Sequence, residues 1–135
     1  MRYSYFFVYN KGNFLRSANL RKKEERQSLM QIITNQFQKE LKQHGSEHFP
    51  FLVSYQKLSE YESGAFMWHW HPEIEITYVQ KGSMHYRVNN QSFHLKEGDI
   101  IFCNSNALHS GEMEHQEDCS YIPVTFDPKL IYGFF

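Results

Sequence analysis

From residue 49 onward no β-forming run lasts long before a turn signal interrupts it, and this rhythm restricts the possible folds more than any other feature. Strand-like runs are predicted over residues 51–61, 66–71, 74–79, 84–88, 93–95, 100–103 and 121–126. Between them stand Ser63 with Gly64, the stretch 80–82 ending in Gly82, Asn89 with Asn90, residues 96–99 around Gly98, the polar loop 104–106, and Asp127 with Pro128. Short strands with turns every ~8–12 residues predict a mainly β fold, a sandwich or barrel.

Residues 18–44 have a different character. They contain no Gly or Pro, and Leu29, Ile33, Phe37 and Leu41 recur every four positions, with Ile32 widening the stripe. That spacing predicts an amphipathic helix, with Gly45 as its stop. The helix is expected to pack on the outside of the barrel or to serve as a dimer contact or a lid. Arg16, Arg21, Lys22, Lys23 and Arg26 are interleaved with Glu24 and Glu25 and read as a solvated face. The expected organisation is an arm and helix over residues 1–48 and a β-barrel over 49–135.

Composition narrows the function classes. The formal net charge of −1 gives the 135-residue chain as a whole no electrostatic reason to bind nucleic acid or an anionic membrane. An aromatic content of 17% argues against disorder. Two cysteines, Cys103 and Cys119, are too few for a disulfide-stapled secreted scaffold. The N-terminus lacks a signal-peptide pattern, and no run approaches the ~20 apolar residues of a membrane span. The expectation is a soluble, cytoplasmic protein. The last residues, Phe134 and Phe135, are apolar where polar ends are usual, which suggests a piece of a longer chain.

The chemistry concentrates in one segment. On a strand His69 and His71 share a face, and Glu75 keeps the same parity if the intervening Pro72 step does not slip the register. The same parity sends Glu73 to solvent. His109 lies 34 residues beyond Glu75, and two antiparallel hairpins can bring it back beside the first pair. Imidazoles with a carboxylate suit Zn, Fe, Mn, Ni or Co, and binding should weaken below about pH 6 as the ligands protonate. Such a pocket can also contact a polar ligand without metal, and both readings stay open. His44, His48, His85, His94 and His115 read as surface residues, and Cys103 as a small core residue. No nucleophile elbow or phosphate-binding loop occurs.

The segment resembles the first motif of the cupin superfamily, H-x-H-x3-E-x6-G, at His69, His71, Glu75 and Gly82. The second motif, G-x5-P-x-G-x2-H-x3-N, is matched at Gly98 and His109, while Asn104, Asn106 and Met113 replace its Pro, Gly and Asn. Gly64 stands one residue closer to His69 than the first motif asks. The resemblance covers residues 50–126 and implies a double-stranded β-helix barrel, with His69, His71, Glu75 and His109 as ligands of a divalent metal. Residues 69–82, 93–101 and 106–111 are also similar to effector-binding domains of AraC-type bacterial transcription regulators. That resemblance implies a sensor, not an enzyme, which binds a small-molecule effector such as a sugar at His69, His71, Glu75 and His109, with Thr77 and Tyr86 as wall residues. It further implies a homodimer that reaches DNA only through C-terminal helix-turn-helix units, a pattern this sequence lacks. The competing expectation is a stand-alone metal-dependent cupin enzyme of the dioxygenase or sugar-isomerase type.

Overall fold

The computed structural model describes residues 29–133. Nine strands run in chain order: β1 (Phe51–Val53), β2 (Gln56–Lys57), β3 (Ala65–His69), β4 (Ile74–Lys81), β5 (Ser83–Val88), β6 (Gln91–Lys96), β7 (Ile100–Cys103), β8 (His109–Met113) and β9 (Ser120–Phe126). A single helical turn, α1 (Lys129–Tyr132), follows them. One sheet has the order β1-β9-β4-β7, with β2 also on β9, and the other has the order β3-β8-β5-β6. All the strand pairings are antiparallel. No helix among the described residues is long and apolar enough to cross a membrane.

Alternation of side chains decides what enters the space between the sheets. On β4, Glu75, Thr77 and Val79 are buried, while Ile76, Tyr78 and Gln80 are not. On β5, Met84 and Tyr86 are fully buried and His85 and Arg87 turn outward, where both meet Glu112. Phe66 forms a hub, with its ring centroid 5.8–6.0 Å from those of Tyr61, His69, Tyr86 and Tyr121. Edge-to-face and tilted packing of this kind suits aromatic rings.

β8 escapes the sequence pattern. Ser110, Gly111 and Glu112 carry little β-propensity, yet the segment pairs with β3 on one side and β5 on the other. Gly111 belongs there because a Cβ would lie 2.4 Å from the Phe66 ring.

The predicted helix is not found where it can be checked. Residues 18–28 lie outside the described residues, and residues 29–44 contain no helix. They run as an irregular arm held by bridges between Met30 and Tyr61, Thr34 and Glu40, and Lys39 and Trp70. The Asn35 carboxamide accepts the backbone N–H groups of Phe37 and Lys39, a local bond that competes with helix. The backbone of Gln38 and Glu40 bonds to Trp70, and that of Met30 to Glu60. An extended arm can satisfy these barrel groups and a helix cannot, so tertiary pairing overrides propensity. Leu29, Ile33, Phe37 and Leu41 remain exposed, so the stripe does not enter the core. Gly45 does adopt positive φ, but in a turn where a Cβ would strike the backbone of Phe49 and Phe51.

Gly82 has φ +81°, and a Cβ there would sit 2.3 Å from the carbonyl oxygen of Asp118. Gly82→Ala should therefore cost at least about 2 kcal/mol, from left-handed strain plus a backbone clash, measured by urea denaturation.

Candidate functional site

The two sheets place the site between them. β3 and β8 set His69 directly opposite His109, and a bulge between Phe66 and His69 lets both of those residues face inward despite their unequal parity. β4, in the facing sheet, supplies Glu75, which pairs with Cys103 on β7 and Thr125 on β9. His71 follows β3 on the connection to β4. All four predicted residues are thus buried and brought together. Ring centroids are 4.2 Å apart for His69 and His109, 5.1 Å for His71 and His109, and 5.9 Å for His69 and His71.

Each imidazole is oriented by a backbone carbonyl. Nδ1 of His69 donates to Met67 O at 2.8 Å, Nδ1 of His109 to Ala107 O at 2.9 Å, and Nδ1 of His71 to Glu73 O at 3.2 Å. Carbonyl anchoring of one ring nitrogen is the usual way a protein presents the other as a ligand. His109 Nε2 is buried and has no hydrogen-bond partner among the described residues. Donor atoms of His69, His71 and His109 all lie within 4.8 Å of one another, close enough to hold a metal ion. Glu75 Oε2 stands 3.2 Å from His71 Nε2 and 3.8 Å from His109 Nε2.

The carboxylate of Glu75 is held from behind. Thr77 Oγ1 donates to Glu75 Oε1 at 2.7 Å and the Tyr86 hydroxyl does so at 3.2 Å. Both partners sit behind the acid and neither lines the adjoining cavity. Thr77 and Tyr86, expected as wall residues, here orient Glu75. Cys103 Sγ lies 3.4 Å from the same hydroxyl, and burial raises its pKa to about 11, as expected of a core thiol.

Beside the imidazoles is a cavity of about 580 Å³. Met30, Ile32, Ile33, Glu40 and Leu41 of the arm form one wall, and Leu52, Gln56, Phe66, Pro123 and Thr125 of the barrel form the other; His69 and Glu75 reach its surface. Gln56 Oε1 accepts the hydroxyls of Tyr61 and Tyr121.

Three residues here were misjudged or missed from sequence. Glu73, expected in solvent, turns inward and stands 3.3 Å from His44 Nδ1 and 3.4 Å from His71 Nδ1. The chain leaves strand geometry at residues 71–73, so alternation no longer applies there. His44, expected on the surface, is buried between Glu40 and Glu73. Glu40 was not singled out, yet its Oε2 lies 3.9 Å from His69 Nε2. No local signal marks either arm residue, because only docking of the arm brings them to the site. Asn106, where the cupin motif has Gly, adopts φ +63°, so the loop forms with Asn in the left-handed region. His48, His94 and His115 are exposed and His85 is half-exposed.

Comparison with known proteins fits this architecture. The model of the family described as the AraC-like ligand binding domain matches residues 57–134, more than half of the chain. The chain belongs to this family. The AraC-like domain is 29% identical over 100 residues to the uncharacterised HTH-type transcriptional regulator YdeC of Bacillus subtilis, a match covering 74% of the chain and 34% of that regulator. The chain thus spans about a third of this relative's length. Among solved structures, a cupin-like protein from Thermotoga maritima superposes with a TM-score of 0.52 at 24% identity, covering 60% of each chain. A cupin 2 conserved barrel domain protein from Salinispora arenicola superposes at 0.53 with 18% identity, covering 62% of this chain and 68% of that one. A predicted oxalate decarboxylase from Thermotoga maritima reaches 0.50 at 28% identity, covering 56% and 64%. The fold is that of a cupin.

The electrostatics of the AraC-like domain set its response to pH. Burial and the neighbouring His109 lower the His69 pKa to about 4, and burial also lowers that of His109. Burial alone would raise Glu75 and lower His71. Their mutual hydrogen bond, with Thr77 aiding Glu75 and Glu73 aiding His71, reverses both, leaving Glu75 at about 2 and His71 at about 9. Below pH 6.5 the unfolded chain binds a proton that His69 refuses, so stability falls as pH drops toward 4, with Glu75 adding loss from 4.5 downward. Above 6.5 folded His71 keeps a proton that the unfolded chain releases, so stability also falls as pH rises through 9. With chelator present, the urea midpoint should peak near pH 6.5 and fall on both sides.

Proposed function

We propose that this domain captures a small-molecule effector in the cavity between arm and barrel and reports its occupancy to a DNA-binding part of a longer regulator. The observation that carries the reading is the cavity of about 580 Å³, walled on one side by the arm and on the other by the barrel, in a chain of a ligand-binding family. The name of the Bacillus subtilis relative, an HTH-type transcriptional regulator, supports the link to DNA through helix-turn-helix units. As part of such a regulator the domain works in the cytoplasm, as a homodimer.

The walls support a reading of the effector's chemistry. Ile32, Leu52, Phe66 and Pro123 suit an apolar body, while Gln56, Thr125, Glu40 and His69 suit hydroxyl or amine groups. A sugar is one such class. His69, His71, His109 and Glu75 are the residues that would hold a divalent metal, and their anchored rings and the orphaned His109 Nε2 fit one. A bound metal would supply a Lewis-acid contact for an effector oxygen. The chain's own residues do the rest: Thr77 and Tyr86 fix Glu75, and the backbone carbonyls fix the rings. Because an effector touches arm and barrel at once, it binds better when the arm is docked. That differential affinity is what shifts the equilibrium of the attached DNA-binding part.

The likeness to a predicted oxalate decarboxylase favours a second reading, a metal-dependent enzyme. Against it, the acids at the cavity are already engaged, Glu75 by two hydroxyls and an imidazole and Glu40 by His44. None is left free as a separate proton donor.

The test uses the full-length regulator. A compound that raises the melting temperature in a thermal-shift screen should change operator affinity about 5–150-fold, the usual range of allosteric coupling. His69→Ala should abolish both effects. A compound that stabilises the protein yet leaves operator affinity unchanged sinks the sensor reading, and turnover of the compound would favour the enzyme. For the metal, elemental analysis should find one equivalent lost from the His69→Ala/His109→Ala double variant. Thr77→Val should weaken metal binding about 10–100-fold by releasing Glu75.

A further inference from the structure

His71 presents its two ring nitrogens to two different clusters. Nε2 faces Glu75, within the imidazole cluster described above. Nδ1 faces Glu73, whose Oε2 is 3.4 Å away. On the far side of Glu73 stands His44, its Nδ1 3.3 Å from the same Oε2 and its ring centroid 4.8 Å from that of His71. Glu40 Oε2 lies 3.3 Å from the other nitrogen of His44.

Two atoms of this group lack partners. His44, only 7% exposed, has Nδ1 buried and unbonded among the described residues, and so has Glu73 its Oε2. The two lie at contact distance without hydrogen-bond geometry. Buried polar atoms are nearly always satisfied, so such a pair calls for a missing partner. Ligand atoms at 2.0–2.1 Å around a tetrahedral ion lie about 3.3 Å from one another. The Glu73 contacts to His44 and His71 match that spacing.

We propose that Glu73 Oε2 and His44 Nδ1, with His71 Nδ1 at the shared edge, form a second divalent-cation site at the seam between arm and barrel, while Glu40 holds the opposite nitrogen of His44. Two imidazoles and a carboxylate favour a borderline ion such as Zn(II), and the Glu40 carboxylate on the far nitrogen of His44 orients that ring. Binding displaces to solvent the protons on Nδ1 of His44 and Nδ1 of His71, and His71 gives up its hydrogen bond to the Glu73 carbonyl. The site joins arm to barrel, because Glu40 and His44 belong to the arm and Glu73 to the β3–β4 connection. Occupancy therefore fixes the arm over the cavity. The site differs from the His69, His71 and His109 cluster in every ligand but one.

The experiment titrates the chelator-stripped 135-residue chain with Zn(II), reading stoichiometry by calorimetry and by elemental analysis after dialysis. His44→Ala and Glu73→Gln should each remove one equivalent, and the near-isosteric Glu73→Gln guards against a folding artefact at His44. His69→Ala/His109→Ala should keep that equivalent. In that background Zn(II) should protect the arm from proteolysis, and adding His44→Ala should abolish the protection. One equivalent in the parent chain, kept in the His69/His109 variant and lost in Glu73→Gln, supports this site while removing the metal reading of the first cluster. Unchanged stoichiometry in both His44→Ala and Glu73→Gln overturns the proposal and leaves a protonated His44 bridging two carboxylates.

Discussion

The buried carboxylate of Glu75 organises the centre of this domain. An ion placed between two sheets is expensive unless every oxygen is occupied. Thr77 and Tyr86 occupy one oxygen, and His71 and His109 face the other. The first pair comes from β4 and β5, and the second from the β3–β4 connection and β8. One side chain therefore ties both sheets together and fixes the spacing of the imidazoles. The imidazoles are unequally protonated: hydrogen bonds to Glu73 and Glu75 overcome burial and raise the pKa of His71, while burial lowers those of His69 and His109.

Function follows from what this centre leaves open. Of the barrel histidines, His69 reaches the cavity at the mouth of the site. The arm covers that mouth and adds Glu40 and His44, so the cavity has one barrel wall and one arm wall. A ligand held by both walls reads arm position, whereas a ligand held inside a rigid barrel would not. The exposed stripe of Leu29, Ile33, Phe37 and Leu41 runs along the same arm.

The strands were largely legible from sequence, because alternation and turn residues act locally. Glu75, Thr77 and Val79 face inward as their parity required, and Gly82 stands at the turn that ends β4. The four motif positions were legible through the resemblance to the cupin motifs. β8 was not, since Ser110 and Gly111 become strand only by pairing with two neighbours and yielding to Phe66. The arm was misread as helix because a four-residue apolar repeat carries no information about the backbone partners at Tyr61 and Trp70. Glu73 was misplaced because alternation stops where strand geometry stops.

The sequence by itself determined a barrel of short strands, since periodicity and turn chemistry are properties of neighbouring residues, and its resemblance to the cupin motifs implied the convergence of His69, His71, Glu75 and His109. Only the tertiary structure decided that Glu40, His44 and Glu73 share that space and that Thr77 and Tyr86 serve Glu75 from behind. Those relations depend on where a distant segment docks, and docking is settled by backbone groups that every residue carries alike.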